Sequence, residues 1–164
     1  MSGTLRPAPA RRGVYLQRLA RHGWRGIAQT IVGARGRFTL HYTPHRLLSE
    51  HVRVVFAGGA SDSNPTRPVR RDLGRLTSYR LTVASWYGGG GTLACGGELT
   101  SATMGVANKT LPCGTLVTLR YDGHSVRVPV VDRGPYVEGR EFDLTEATKR
   151  ALDFEGVGEV WSTR

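Results

Sequence analysis

The sequence predicts an all-β protein that contains two small domains. In the first half, apolar and polar residues alternate over short runs separated by turn-forming residues, which is typical of antiparallel strands. In the second half, several short strands accompany one short helical segment. A chain of 164 residues is long enough for two small cores. We therefore expect a small β-sandwich followed by a closed or nearly closed β-barrel.

The first domain is expected over residues 1–75. Its alternating runs are "GVYLQRL" (13–19), "WRGIAQTI" (24–31), "GRFTLHY" (36–42) and "HVRVVFA" (51–57), with turns every 10 to 15 residues. Such spacing favours a small antiparallel sandwich. Because "SGTL" near the start resembles the middle of a strand, we expect a fragment or a misassigned start, with an opening strand upstream.

A linker is expected between the two domains. Residues 58–80, "GGASDSNPTRPVRRDLGRLTSYR", are rich in Gly, Ser, Asn, Pro and Arg and show little apolar periodicity at first. This composition places the domain boundary near residues 75–80. We assign residues 76–80 to the linker and residues 81–164 to the second domain.

The second domain has the signals of a barrel. "LTVASWY" (81–87) predicts a strand, and the four glycines that follow predict a loop. Two further strands flank Asp122-Gly123, a favoured two-residue hairpin turn. Pro129 lies inside the second of these strands and indicates an edge or a bulge.

The end of the chain completes this second domain. "DLTEATKRAL" predicts one short helix with Thr145 as its N-cap, and "GEVW" predicts a last strand. Phe154 and Trp161 are expected to lie in the barrel core.

Positive charge is concentrated in the first half. The formal net charge is +10, and residues 1–80 hold 15 Arg against Glu50, Asp62 and Asp72, whereas residues 81–164 hold 8 basic and 10 acidic residues. The basic half is either a solvated face or a contact for a polyanion. No nucleic-acid-binding motif accompanies the charge, so we expect no specific nucleic acid partner. Wall polymers that carry phosphate or carboxylate fit equally well.

The two cysteines, Cys95 and Cys113, form either a disulfide or two inert thiols. A metal site needs three or four ligands, and no His lies between them to complete one, so we expect no metal and no cofactor. A disulfide closing this loop would stabilise the fold by roughly 3 kcal/mol, which is useful in an oxidising compartment. We expect the disulfide and an exported protein. The N-terminus lacks the apolar core of a signal peptide, so a signal sequence is expected to be missing from this chain.

Asp132 is the first candidate for chemistry. It ends an apolar strand and is followed by Arg133, Gly134 and Pro135. A partly buried carboxyl favours its protonated form and suits a general acid, while the adjacent Arg133 favours the charged form. The alternative is that Asp132 only accepts backbone N–H groups of its own turn.

Four segments carry a resemblance to a known family. "ASWYGGG", "ANKTLPCGTLVTL", "VPVVDRGPYVEGREFDLT" and the closing helix and strand follow one another over residues 83–162. Together they resemble the rare lipoprotein A family, whose domain is a six-stranded double-psi β-barrel similar to that of expansins and barwin-like proteins. The first half resembles, more weakly, immunoglobulin-like modules that precede such barrels in exported bacterial proteins.

The resemblance implies an activity. Active members are peptidoglycan lytic transglycosylases, and "DRGP" identifies Asp132 as their catalytic carboxyl, acting first as acid and then as base. Glu98 in "CGGE" matches a second catalytic position. Asn108 stands where active members have His, and an Asn cannot titrate near neutrality.

Other residues are candidates for sugar contact. The rings of Trp86, Tyr87 and Tyr136 could stack on sugar faces, with core packing as the alternative. Asp143 matches a family position, but an Asp ahead of a helix also favours the helix dipole. The candidate substrate-binding residues are Trp86, Tyr87, Asn108, Lys109, Arg133, Tyr136 and Asp143.

Three functions follow from these observations. The first is a lytic transglycosylase that cleaves peptidoglycan glycan strands. The second is an expansin-like module that binds or loosens the wall without cutting it, which Asn108 favours. The third is a binder of nucleic acid or acidic polymers through the first half. For the first two we expect a monomer located in the cell wall, the periplasm or outside the cell.

Overall fold

The computed structural model describes residues 1–6, 12–57 and 68–164. Within it the chain forms two compact units, Met1–Ser78 and Tyr79–Arg164. Among the described residues, no helix has the length and apolar character needed to cross a membrane.

Residues 1–6, 12–57 and 68–78 of the first unit form six strands, and all their pairings are antiparallel. Four of them form a sheet in the order β3-β2-β5-β6, and the two short strands β1 and β4 pair with each other. The strands are β1 (Ser2–Thr4), β2 (Gly13–Ala20), β3 (Gly23–Ile31), β4 (Arg37–Thr39), β5 (Ser49–Phe56) and β6 (Val69–Thr77), with a 3₁₀ turn at Ala34–Gly36.

Alternation along the strands builds the core of this unit. Val14 and Leu16 on β2 are buried, as are Val52 and Val54 on β5, and Leu16 lies opposite Val54. Side chains two positions apart on a strand share one face, so these residues form a single apolar layer. The likeness of the first unit to an immunoglobulin-like module remains a prediction.

The structure corrects the expected linker. Residues 69–77, read from the sequence as part of a loop, form the edge strand β6 paired along β5, and residues 58–67 lie outside the described part of the chain. Only residues 78–79 separate β6 from the next strand. The sequence pattern missed β6 because most of it is exposed, so it pairs through its backbone without an apolar face.

The second unit is a closed barrel of six strands, as expected, with one helix. Its strand order is β10-β8-β11-β7-β12-β9, and two of its pairs, β10 with β8 and β11 with β7, are parallel. The elements are β7 (Arg80–Tyr87), β8 (Val106–Ala107), β9 (Leu116–Tyr121), β10 (His124–Asp132), β11 (Phe142–Thr145), α1 (Glu146–Leu152) and β12 (Gly158–Ser162).

Apolar side chains from all six strands fill the barrel. The largest are the fully buried Phe142 and Phe154, which confirms the expectation for Phe154. Trp161, in contrast, is half exposed, so its assignment to the core was wrong. Alternation explains this result, because its neighbours Val160 and Ser162 are the buried pair on β12.

Thr145 is the N-cap residue of α1, but its hydroxyl does not cap the helix. The hydroxyls of Thr145 and Thr148 instead bond to each other at 2.9 Å and to the backbone of Gly105. This buried network fixes the segment that leads into β8 against the start of the helix.

Candidate active site at the end of strand β10

A β-bulge decides where the side chain of Asp132 points. Val130 pairs with Val106 and Asp132 pairs with the next residue of β8, Ala107, so β10 contains one extra residue, Val131. Simple alternation would place Asp132 on the core face with Val130, which is 1% exposed. The bulge turns Asp132 away from the core and leaves it partly exposed.

Gly105 makes room for this bulge. A Cβ atom at position 105 would lie 2.4 Å from Cγ2 of Val131, which is closer than two non-bonded carbon atoms can approach. The backbone of Gly105 is also held by the Thr145 and Thr148 hydroxyls, so it cannot move aside freely. A side chain at position 105 would therefore push against the residue that precedes Asp132.

The strand register places two carboxyl groups at one level of the barrel wall. Asp132 on β10 pairs with Ala107 on β8, which pairs with Asp143 on β11, which in turn pairs with Ser85 on β7. Neighbouring strands lie about 4.8 Å apart, so the Cα atoms of the two aspartates are about 10 Å apart across one intervening strand. Ala107, whose side chain is small and 2% exposed, lies between the two carboxyl groups.

The carboxyl group of Asp132 is bound to the backbone through one of its two oxygen atoms. Its Oδ1 atom accepts hydrogen bonds from the backbone N–H groups of Ala94 at 2.9 Å and Arg133 at 2.8 Å. Both bonds use the same oxygen, so Oδ2 of this partly exposed carboxyl is left to the nearby Tyr87 phenol or to a ligand. The two readings of Asp132 from the sequence are therefore compatible.

Asp143 lies in a less polar setting. Burial raises the pKa of Asp143, and the negative charge of Asp132 raises it further, while a hydrogen bond from Ser85 Oγ at 2.8 Å and the charge of Arg140 oppose that change. A carboxyl with a raised pKa retains its proton to higher pH. The site thus combines two carboxyl groups in different environments.

Tyr87 lies close to both carboxyl groups. Burial raises the pKa of its phenol, and the negative charges of Asp132 and Asp143 raise it further. Its buried hydroxyl makes no hydrogen bond of good geometry within the described part of the chain, and the Asp132 carboxyl is the acceptor nearest to forming one. The phenol remains protonated at neutral pH and can donate a hydrogen bond to a ligand.

Asn108 shapes the loop beside Asp132. Its Nδ2 donates to the carbonyl of Glu141 at 3.0 Å, and its Oδ1 accepts from the N–H groups of Thr110 and Leu111. The residue is 4% exposed, and its own N–H donates to the Asp132 carbonyl. These contacts hold the loop beside Asp132, and sugar contact by Asn108 stays a prediction.

Arg133 is also engaged with the protein. Its guanidinium donates to the carbonyls of Asn108 and Leu111 and to Sγ of Cys113. Cys113 forms the expected disulfide with Cys95, whose N–H donates to the carbonyl of Val131. The disulfide and Arg133 thus join the loops on both sides of the bulge.

The remaining candidate side chains are all exposed, and their contacts are with other residues. The side chains of Lys109 and Tyr136 are exposed, the latter to 82%. Trp86 is 39% exposed and lies beneath the Nζ atom of Lys149, 4.2 Å from the ring centre. The exposed Glu98 accepts a hydrogen bond from the Thr92 hydroxyl at 3.4 Å.

Sequence reasoning missed two groups near the site. Ser85, the hydrogen-bond partner of Asp143, could have been found from alternation, because it shares a strand face with Tyr87. Glu141 pairs with Arg80 and accepts from Thr82 at 2.7 Å. Burial works against the Glu141 anion, but these partners outweigh it and lower its pKa. Nothing in the sequence indicates that pairing.

No group of three or more His, Cys, Asp or Glu side chains suited to a metal ion occurs in residues 1–6, 12–57 or 68–164. The groups that the described site offers are two carboxyl groups, a phenol and backbone donors.

Comparison with known proteins identifies relatives of the barrel. The profile of a family described as lytic transglycolase matches residues 81–161. The probable endolytic peptidoglycan transglycosylase RlpA of Aquifex aeolicus is 43% identical over 83 residues, which cover 48% of this chain and 37% of that protein. The protein of the same name from Synechocystis is 41% identical over 85 residues, covering 48% of this chain and 26% of the relative.

Two further comparisons found similar proteins. The endolytic peptidoglycan transglycosylase RlpA of Rickettsia prowazekii is 36% identical over 83 residues, covering 46% of this chain and 26% of that protein. Among solved structures, the Streptomyces papain inhibitor is 28% identical and covers 53% of this chain and 96% of its own, with a TM-score of 0.43.

The matched segment spans about a quarter to two fifths of these curated relatives. The match coincides with the closed barrel that carries Asp132. Residues 81–161 therefore belong to the lytic transglycolase family and form a double-psi β-barrel of the rare lipoprotein A type.

Proposed function

We propose that the protein is a peptidoglycan lytic transglycosylase that uses Asp132 as its acid and base. The proposal is supported by the relatives of the barrel, which are named endolytic peptidoglycan transglycosylases. Such a protein acts on glycan strands of the cell wall, so we place it in the wall, the periplasm or outside the cell.

The carboxyl of Asp132 is the observation that carries this proposal. A bulge turns it out of the core, two backbone donors fix Oδ1, and Oδ2 remains for substrate. A carboxyl held by backbone groups keeps its orientation through the reaction, which positioned acid–base catalysis requires.

One carboxyl is sufficient for the proposed reaction. Protonated Asp132 gives its proton to the glycosidic oxygen as the bond from that oxygen to C1 of N-acetylmuramic acid breaks. The resulting carboxylate then takes the proton of the C6 hydroxyl of the same sugar, and O6 bonds to C1. The products are a free sugar end and a 1,6-anhydro end, no water is consumed, and Asp132 regains its proton.

The neighbouring groups have supporting roles in this scheme. Tyr87 has a protonated phenol beside both carboxyl groups and can donate a hydrogen bond to substrate. Asp143 lies one strand beyond Ala107, where it can contact a sugar that reaches Asp132. Glu98 lies in the exposed loop whose Ala94 N–H binds Asp132, so it can join the site through a bound glycan.

A non-cleaving, expansin-like wall binder is the second candidate. Asn108 favours it, because this residue cannot carry a proton in catalysis and its amide is already bound to the backbone. The surface around Asp132 would then hold glycan without cutting it.

Anionic wall polymers are proposed as additional partners of the first unit. The strand β6 exposes Arg70, Arg71 and Arg75 on an open sheet edge. Positive side chains on one exposed strand attract phosphate or carboxylate groups by charge alone.

The deciding experiment is a digestion of purified peptidoglycan with the full chain, followed by mass spectrometry of the soluble products. We expect 1,6-anhydro-muropeptides from the wild type and a loss of at least about 100-fold in their release with Asp132→Asn. The matched control is Asp153→Asn, the same change at the exposed residue that follows α1, which should retain full activity.

Two results would decide against the enzyme. Equal product from wild type and Asp132→Asn would remove Asp132 from the reaction. An absence of product from all variants, with both wild type and Asp132→Asn still sedimenting with the wall, would establish the binding-only function.

A further inference from the structure

The barrel carries a cavity remote from Asp132. Asp132 ends β10, whereas the Asp122–Gly123 turn precedes its first residue, His124. Eight residue steps of about 3.3 Å separate the ends of the strand, or about 26 Å. The cavity has a volume of about 520 Å³ and is lined by Tyr79, Arg120, Tyr121, Asp122, Gly123 and Trp161.

The aromatic rings of this cavity are held in place by strand register and packing. Trp161 on β12 is 50% exposed and lies opposite Arg120 on β9, so the two side chains share the outer face of the barrel. The Arg120 guanidinium lies 5.5 Å from the centre of the Tyr79 ring. Tyr121 packs edge-on against Phe154, with ring centres 5.1 Å apart. The cavity is thus built from ordered side chains.

The chemistry of the lining favours an uncharged sugar. Small-ligand sites are typically 300 to 1,000 Å³ in volume and combine aromatic walls with a few polar groups, and this cavity fits both criteria. The positive charge of Arg120 is balanced by the negative charge of Asp122, so neither a polyanion nor a polycation is selected. A sugar ring offers a flat C–H face to Trp161 and hydroxyl groups to the two charged side chains.

We propose that this cavity is a second glycan-binding site, which takes an N-acetylglucosamine unit of the glycan strand remote from the bond at Asp132. The choice of sugar rests on the proposed function, whereas the site itself rests on the cavity. Its role is to hold the wall polymer while the groove at Asp132 acts on it.

The test titrates the full chain carrying Asp132→Asn with a soluble oligosaccharide of β-1,4-linked N-acetylglucosamine. The chain contains three Trp residues, so the indole N–H signal of Trp161 can be assigned in a proton–nitrogen NMR spectrum by its loss in Trp161→Phe. We expect this signal to shift saturably. If the Trp161 indole signal does not move at oligosaccharide concentrations that saturate the protein, the proposal is overturned.

Binding to purified wall provides the second measurement. Trp161→Ala should weaken wall binding by about tenfold or more, as expected for the loss of a central aromatic contact, while Trp161→Phe should retain most of it. The control is Leu116→Ala, which truncates an exposed side chain of β9 outside the cavity and should bind as wild type. Equal binding by Trp161→Ala and wild type, or an equal loss in Leu116→Ala, would contradict the proposal.

Cleavage is measured separately with Trp161→Ala in the chain that retains Asp132. Release of anhydro-muropeptides from short soluble fragments should persist, because these do not reach this cavity. If the chain cleaves nothing, the enzyme proposal fails while the NMR and wall-binding results still decide the glycan site. If cleavage of short fragments is lost together with binding, Trp161 supports the fold and the glycan site is rejected.

Discussion

Asp132 and Asp143 show how environment separates two identical side chains. Asp132 has one oxygen bound to two backbone N–H groups, whereas Asp143 has a single hydroxyl donor and a pKa raised mainly by burial. A pair of carboxyl groups with different environments can divide the tasks of holding and accepting a proton. The difference arises from the partners of each residue and not from the residue type.

The raised pKa of Asp143 predicts a pH dependence of stability. A carboxyl whose pKa rises on folding binds protons more tightly in the folded state, so the stability it contributes falls as pH rises through the folded pKa. Asp143→Asn removes this titration and keeps an oxygen that can accept from Ser85. The difference in melting temperature, Asp143→Asn minus wild type, should therefore be larger and more positive at pH 7 than at pH 3.

Thermal unfolding across this pH range tests that expectation, with Asp153→Asn as the control for loss of an exposed carboxyl. A relative melting temperature of Asp143→Asn that stays constant from pH 3 to pH 7, or that falls, would show that burial of Asp143 carries no such cost.

At the scale of elements, the bulge in β10 is the feature that makes the site. One extra residue turns Asp132 from the core face to the outer face, and the disulfide and the Arg133 guanidinium join the loops on either side. The loop before β8 contributes Gly105, which lets Val131 fill the position that the bulge creates. The candidate site therefore depends on contacts between loops far apart in sequence.

Gly105→Ala tests this dependence. The added methyl group would overlap Val131, so we expect a loss of about 1–3 kcal/mol in the free energy of unfolding and a lower kcat from displacement of Asp132. Adding Val131→Ala removes the two overlapping methyl groups and should restore much of the activity. Urea unfolding and the release of anhydro-muropeptides measure the two effects.

Gly158→Ala is the matched control, because a Cβ atom there would meet Phe154 at an ordinary 3.6 Å. If Gly105→Ala lowered stability without changing kcat, or if the double variant gave no recovery, Gly105 would not position Asp132 through the bulge.

At the scale of the whole molecule, the two units differ in charge. Most of the excess positive charge belongs to the first unit, and the barrel that carries the candidate active site has nearly balanced charge. Attraction to anionic wall polymers would thus come from one unit and glycan chemistry from the other. Surface electrostatics of this kind weaken with salt, because the Debye length shortens.

Wall binding should therefore depend on salt through the first unit. The double variant Arg70→Gln, Arg71→Gln should bind phosphate-bearing walls more weakly at low salt and show a shallower decrease as salt rises, and it should match wild type on walls stripped of phosphate polymers. The control, Arg127→Gln with Arg164→Gln, removes two exposed charges from the barrel unit. Sedimentation measures all three proteins. Identical salt profiles for the two double variants would show that the basic strand is only solvated.

The sequence by itself determined the β architecture of the barrel, its single helix, the disulfide and Asp132 as the leading candidate. Alternation, the Asp122-Gly123 turn and the "DRGP" motif are local signals, so each can be read without knowing what packs against it. The same locality explains the errors, since strand β6 has no apolar face and the exposure of Trp161 depends on how β12 joins the barrel.

Only the tertiary structure decided which way the key side chains face and what they contact. The pairing of β10, β8, β11 and β7 aligns Asp132, Ala107, Asp143 and Ser85, and the bulge selects the face of Asp132. The tertiary structure also places Asn108 against its backbone partners and brings Tyr79, Arg120 and Trp161 together in one cavity. These properties follow from pairings between distant segments, which a local pattern does not encode.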